Sequence, residues 1–368
     1  MNNVKLSNLE AIGLVLIIII NHLILNFSKS IISNTGSASA LNILFIGIIL
    51  LLFVQFLIFL FKHFSGQDIL DISEYLGGKA LKILTGILFI SYYIVFTSIL
   101  LRSFSENLKI IYLNKLPIII IVLFFIFSIT FANKLGIKTI SKVNLLILPV
   151  ILFCIIFVFI ANIKNYDFHG LFPLLGSGVK QTFIIGLSNM FAFSSISILY
   201  FLPPMVRDDK SFKKIARIST ILSVILFFFG IVCFLSLFPF IRNSKEIMAL
   251  YLATRYIEFG RFFQRLDAIF LLVWTVAVIS YLCVAVAFSI NIFKKISNIT
   301  DYNGILYCFA GIIYIISLIS TDLAQLNYIE INIFKYVVFI LLFGYSSLIL
   351  IFANIKKRLR GGKNEKIT

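Results

Sequence analysis

Ten runs of apolar residues, each about long enough to cross a bilayer and parted by short charged connectors, fill the chain almost from end to end. A helix in water keeps one apolar stripe, whereas a helix in lipid must be apolar on every side. At about 1.5 Å of rise per residue, roughly 20 helical residues cover the ~30 Å hydrocarbon core. The runs fall at 9–27, 40–61, 81–101, 116–131, 143–163, 182–205, 218–240, 266–293, 305–319 and 333–353. Hydrophobic residues make up 61% of the 368 positions and charged residues only 13%, which a water-soluble fold of this length does not need. The pattern predicts an all-α membrane protein: one transmembrane domain of ten helices over 1–355, followed by a basic tail at 356–368. Phe is so abundant that number alone assigns no Phe a role.

The net charge of +17, from 32 basic and 15 acidic residues, sits in the connectors, so membrane lipid rather than nucleic acid is the expected partner. An even number of spans puts both termini on one side. That side carries 20 of the basic residues against 12 opposite, which makes both termini cytoplasmic by the positive-inside rule. The tail residues Lys356, Lys357, Arg358, Arg360, Lys363 and Lys366 read as attraction to anionic headgroups. No small-residue cleavage site follows the first run, so it is expected to stay as a span. Cys154, Cys233, Cys283 and Cys308 lie inside the runs at scattered depths, as small apolar packing residues. The three histidines lack metal-ligand spacing. No phosphate-binding glycine loop, nucleophile elbow or carboxylate pair is present, so no catalytic residue, metal, cofactor or enzymatic activity is expected.

Polar residues inside a bilayer face protein or water and mark ligand paths. Of the acidic residues only Glu10 and Asp267 fall within a run, both near an end, which argues against proton coupling through a midplane carboxylate. Asn21 and His22 interrupt the first run. They read either as hydrogen-bonding glue between helices or as a break that exposes backbone to a cavity. Gly186, Ser188, Asn189, Ser194, Ser195 and Ser197 crowd the middle of the sixth run, which ends at Pro203 and Pro204. Such a run either packs closely or satisfies an unwound backbone. Interrupted helices at matching positions of two five-helix halves point to a transporter-type binding site. Weaker lining candidates are Tyr92, Tyr93 and Thr97 in the third run and Thr275 and Ser280 in the eighth. Tyr92 and Tyr93 point some 100° apart on a helix, so both are not expected to face one cavity.

The outer connector at 241–265 holds five basic residues, an excess against the topology rule. Arg255, Glu258 and Arg261 are spaced i, i+3, i+6, which lets Glu258 pair with either arginine on one helical face. The string reads either as an interfacial helix, with Phe262 and Phe263 among headgroups, or as a charged docking surface for a partner.

This stretch closely resembles the endospore germination permease family, the B-type integral membrane subunits of nutrient germinant receptors. The family pattern is roughly ARYI-x-x-G-x-FFERLDA-x-F-x-x-x-W. Ala253, Arg255, Tyr256, Ile257, Gly260, Phe262, Phe263, Arg265, Leu266, Asp267, Ala268 and Trp274 match it, and Gln264 replaces the usual Glu. Leu6 to Leu25, Gly78-Lys79 and Phe191 to Pro204 fit the family's first, third and sixth spans. The resemblance covers about residues 5 to 355. It implies an amino acid–polyamine–organocation architecture, a five-plus-five inverted repeat (about 6–163 and 181–355) with helices one and six broken. It also implies a nutrient held by those helices with help from three and eight: Asn21, His22, Tyr92, Tyr93, Phe193, Ser194, Ser195 and Thr275. Where many members carry glycines at the first break, this chain has Asn21, His22 and Leu23. That bulk narrows the space for a backbone-held carboxylate, so His22 is placed to bond the ligand itself, with a charge state that matters near neutral pH. The implied setting is the spore inner membrane, with a larger A-type membrane subunit and a C-type lipoprotein as partners and Arg255, Glu258 and Arg261 as partner contacts. A sensing receptor subunit is the expectation, with a secondary transporter of amino acids or related solutes as the alternative. A channel is disfavoured, because no run carries polar residues along its full length.

Overall fold

A computed structural model of the chain describes residues 5–24, 27–238, 249–257, 266–299, 302–320 and 322–364. Among these residues there is no strand. Among the described residues eight helices are long and apolar enough to cross a membrane, and two apolar helices of 17 residues bring the spans to ten. In chain order they are α1 (Asn8–Ile24), α2 (Ser39–Phe61), α3 (Ile69–Ile111), α4 (Ile118–Lys134), α5 (Ile137–Ala161), α6 (Lys180–Tyr200), α7 (Asp209–Leu237), α8 (Leu266–Ser297), α9 (Tyr302–Ile319) and α10. The last is helical over 323–364, with an apolar stretch at Asn332–Leu359.

α1 is the axle of the bundle. Every residue from Glu10 to Ile24 is buried, and it packs against α5, α6, α7 and α8. α4 lies at the periphery and turns Leu123, Phe124, Phe127 and Phe131 outward. Both helices read as uniformly apolar, since in a membrane the outside of a bundle is as apolar as its inside. Association then depends on close packing and hydrogen bonds. A chain of amides supplies some of these: Asn189 Nδ2 donates to Asn42 Oδ1 (2.9 Å), Asn42 Nδ2 to the Thr182 carbonyl (2.8 Å) and Asn34 Nδ2 to Asn189 Oδ1 (3.0 Å). Together they join α2, α6 and the short helix Phe27–Thr35. Gly186 sits where a Cβ would collide with the Asn42 amide, so the close approach of α6 to α2 requires glycine there.

α3 outruns its apolar run at both ends. It opens with an arm at 69–76, capped by Asp68, whose carboxylate accepts from the Leu70 and Asp71 amides while Asp71 accepts from the Asp68 amide. A bend at Gly77–Gly78 follows, Gly78 having a φ of 72° that glycine adopts freely. At the other end the helix continues to Ile111 and carries Arg102 and Glu106, an i, i+4 pair at 2.8 Å. The expectation that only Glu10 and Asp267 are acidic residues within spans is therefore corrected. Glu106 lies in α3, and α10 begins early enough to contain a buried Glu330.

The face that holds the amino end of α1 and the carboxyl end of α10 is closed by polar ties. Lys295, near the end of α8, reaches Asp68 (2.7 Å) and Asp71 (2.6 Å) on the α3 arm. Burial pushes the Asp68 carboxyl up to about 6, against the pull of Lys295. Lys356 of α10 donates to the Tyr75 (2.9 Å) and Leu76 (2.8 Å) carbonyls at the end of the arm. Lys357 bonds the His63 carbonyl. These two lysines, read from sequence as lipid contacts, engage protein instead, and α10 stays helical to Asn364. Lys5 donates to the Val206 carbonyl (2.9 Å), and Leu6 N to that of Met205 (2.8 Å).

Candidate functional site

The α6 backbone departs from α-helical geometry throughout. It winds as a π turn over Lys180–Ile184 and as tighter turns over Ile185–Tyr200, with Phe193 off the helix at φ −101°, ψ 23°. Serine hydroxyls compete with the helix ladder for backbone groups, and Ser194, Ser195 and Ser197 follow within four residues of Phe193. The Phe193 ring is fully buried against Phe227, at 5.0 Å between centroids. The Ala192 carbonyl beside the irregularity takes a hydrogen bond from His22 Nδ1 of α1 (2.8 Å), which sets the proton on that ring nitrogen.

α1 itself does not break at Asn21 and His22, which corrects that reading: it is α-helical through to Ile24. The next described helix is Phe27–Thr35, and residues 25–26 lie outside the described ones. Asn21 holds the helix together. Its Nδ2 donates one turn back to the Ile17 carbonyl (2.7 Å) and across to the Ala277 carbonyl of α8 (2.9 Å). That is the glue role of a polar residue in a bundle.

Tyr92 and Tyr93 both reach α6, contrary to the angular expectation. Tyr92 donates to the Ser194 carbonyl (3.3 Å) and Tyr93 to Ser197 Oγ (3.1 Å), with their rings 4.9 Å apart. Adjacent side chains that diverge at the backbone converge here because the two acceptors lie three residues apart along α6. Thr275 does not join them. Its hydroxyl bonds the Leu271 carbonyl of its own helix, and two residues of helix set it about 200° from Ala277, which faces α1.

Around His22 the side chains form an aromatic plug. Phe96 of α3 meets His22 edge-on (5.2 Å), stacks on Phe334 of α10 (5.5 Å) and touches Tyr281 of α8 (6.0 Å) and Phe191 (5.9 Å). Asn21 Oδ1, Thr97 Oγ1, Ser194 Oγ and Ser195 Oγ are buried nearby without a hydrogen-bond partner. Each such group bears a desolvation cost of about 1–3 kcal/mol unless something fills it. A cavity of about 430 Å³ adjoins the plug between α3 and α10, sharing Tyr92 and Phe334 as walls and otherwise lined mostly by apolar residues such as Val95 and Leu341, with Ser91 and Tyr345. The expected void was between α1 and α6. Phe96, Phe191, Tyr281 and Phe334 were missed because the 41 phenylalanines of the chain hide the ones that matter. The carbonyls of Ala192 and Ala277 carry no side-chain signal at all.

On the opposite face the short helix Ala249–Arg255 ends at Arg255, and Tyr256 and Ile257 are not helical. The single helical face expected for Arg255, Glu258 and Arg261 is thus cut at its start, and Glu258 and Arg261 lie outside the described residues. Arg255 lines a surface cavity with Lys164, Asn165 and Tyr256. Residues flanking it make contacts that hold the fold together. Asn162 holds the Ala253 carbonyl (3.0 Å), Asp267 accepts from Tyr112 (2.8 Å), and Trp274 is buried edge-on to Phe104 (4.5 Å).

Comparison with solved structures places this arrangement among transporter folds. MhsT, solved in complex with L-phenylalanine, superposes with a TM-score of 0.62 at 18% identity over 93% of this chain and 87% of that one. A manganese transporter of Eremococcus coleocola gives a TM-score of 0.55 at 14% identity over 96% and 80%. In sequence, spore germination protein B2 of Bacillus subtilis is 25% identical over 53% of each chain. Spore germination protein A2 of the same organism is 23% identical over 59% of this chain and 60% of its own length. The chain thus spans about half to three-fifths of the curated relatives it matches. Family and fold are those of permease-like membrane proteins, not of enzymes. The family profile described as spore germination protein matches residues 5–326, and this multi-pass membrane protein belongs to that family.

Proposed function

We propose that the chain is the integral membrane subunit of a nutrient germinant receptor, and that a small nutrient, an amino acid or similar solute, binds where α1, α3, α6, α8 and α10 meet. The observation that carries this reading is the irregular α6 at Phe193 beside four buried polar atoms without partners, on Asn21, Thr97, Ser194 and Ser195. Irregular backbone within a bilayer is tolerated where it lines a protein cavity. In this reading the two five-helix halves are inverted repeats, both termini are cytoplasmic, and the membrane is the inner membrane of the spore. A larger membrane subunit and a lipoprotein read the conformational change, Arg255 contributing to that outer contact. A ligand biases such a change only through its differential affinity for two states. The plug of Phe96, Phe191 and Phe334 is the element against which a ligand packs, which gives that difference a physical source.

A secondary transporter is the second reading, favoured by the fold shared with MhsT and the manganese transporter. A binding screen of amino acids and nucleosides on purified protein, joined to a liposome flux assay on each hit, separates the two. Binding without flux supports the receptor; uptake supports the transporter. Asn21→Leu or Ser195→Leu should abolish binding while protein still inserts in the membrane. Undiminished binding in both variants would remove the proposed site.

A further inference from the structure

α10 enters the bundle through a π turn at Glu330–Phe334. Insertions of this kind re-aim side chains and often mark functional sites. Residues four apart share a face of such a turn, and here Glu330 and Phe334 are both 8% exposed while Asn332 and Ile333 between them face outward. Phe334 stacks on Phe96 and walls the cavity between α3 and α10. Glu330 therefore stands one turn from the plug, on the side away from the lysine ties. Tyr281, buried in the plug, lies within its electrostatic reach.

Among the described residues Glu330 has neither an ion pair nor a hydrogen bond. The charged groups around it are committed elsewhere or set apart. Arg102 of α3 pairs with Glu106 and donates to the Ser317 carbonyl. Lys335, five residues on, is buried but forms no ion pair with Glu330. An isolated carboxylate is among the most costly groups to bury, and it becomes tolerable when a cation arrives. One turn along, Phe334 stacks on Phe96, which in turn meets Tyr281, so the nearest part of the plug is a set of aromatic rings. Carboxylate plus aromatic rings is the chemistry that recognises an organic ammonium group, through charge and cation–π attraction together.

We infer that Glu330 is the counter-ion for the ammonium group of an amine-bearing ligand, held against the Phe96, Tyr281 and Phe334 rings. The inference rests on the reading that a small nutrient binds beside the α6 irregularity, and it narrows that nutrient to a primary amine. It also assigns polarity: the ammonium lies toward α10, leaving the Ser194 and Ser195 hydroxyls and the Asn21 amide for the rest of the molecule.

The test uses full-length protein in nanodiscs and three matched probes: L-phenylalanine, phenethylamine, which lacks the carboxylate, and 3-phenylpropanoate, which lacks the amine. Binding is read by thermal shift and by Trp274 fluorescence. The two amines should bind and 3-phenylpropanoate should not. Glu330→Gln should weaken amine binding about thirty-fold or more, as loss of a buried charge partner does, while its unliganded melting point stays at or above that of the parent. Glu330→Asp, which keeps the charge, should retain part of the affinity and guards against a folding defect in the first variant. Unchanged amine binding in Glu330→Gln, equal binding of 3-phenylpropanoate, or no binding of either amine by the parent protein would each overturn the assignment. So would stabilisation by sodium over choline chloride that Glu330→Gln abolishes without any amine effect, since the carboxylate would then serve an inorganic ion. Loss of binding in Ser195→Leu with none in Glu330→Gln would defeat this inference and leave the site itself standing.

Discussion

The lysine-tied face and the middle of the bundle treat polar groups in opposite ways. At the face every charge that matters has its partner: Lys295 holds two aspartates, Lys356 two carbonyls, and Lys5 the α6–α7 connector. In the middle, serine and threonine hydroxyls, one asparagine oxygen and one glutamate have none among the described residues. Satisfied groups fix a structure, whereas buried polar groups without a protein partner keep their hydrogen-bonding capacity for a bound solute. The difference separates parts of the molecule that hold its shape from parts able to bind.

Lys295→Met gives the largest effect expected if the face is structural. It strands Asp68 without its cation, and unfolding in detergent, followed by Trp274 fluorescence, should show a loss of about 2–3 kcal/mol. A loss within experimental error would dissolve the contrast from that side. Asp68 supplies a second, pH-dependent probe. Its folded value is raised by burial, so the stability it contributes is fully present below its unfolded value, near 4, and is lost as pH rises through about 6. Asp68→Asn keeps the helix cap and should flatten the melting curve against pH across that window; an unchanged slope would show that Asp68 is not the group responsible. Ser195→Ala should be the mildest. Removing a hydroxyl that bonds to nothing should leave stability within about 0.5 kcal/mol of the parent, or raise it. A loss above 1 kcal/mol, by the same scale, would mean that Ser195 is a structural hydrogen-bonding residue after all.

The ten spans were legible because lipid permits no polar relief over 20 residues, and the α6 irregularity was legible because serines cluster there. Asn21 stood between two readings because the same amide can break a helix or brace it, and only the position of the Ala277 carbonyl decides. Glu330 escaped because Asn332 beside it lowers the local hydropathy, so the apolar run starts three residues after it. Which spans face lipid was not legible at all. α1 and α4 have similar sequences and opposite surroundings, a distinction that exists only once neighbours are in place.

The complete enclosure of α1 bears on how the protein is made. Of the ten spans α1 is made first, and it touches α5, α6, α7 and α8, so its final surroundings are not synthesised until the chain has passed residue 266. Until then a segment carrying an asparagine and a histidine sits in the bilayer without its eventual companions. α1 is thus made before the helices that enclose it and is wrapped only as they arrive.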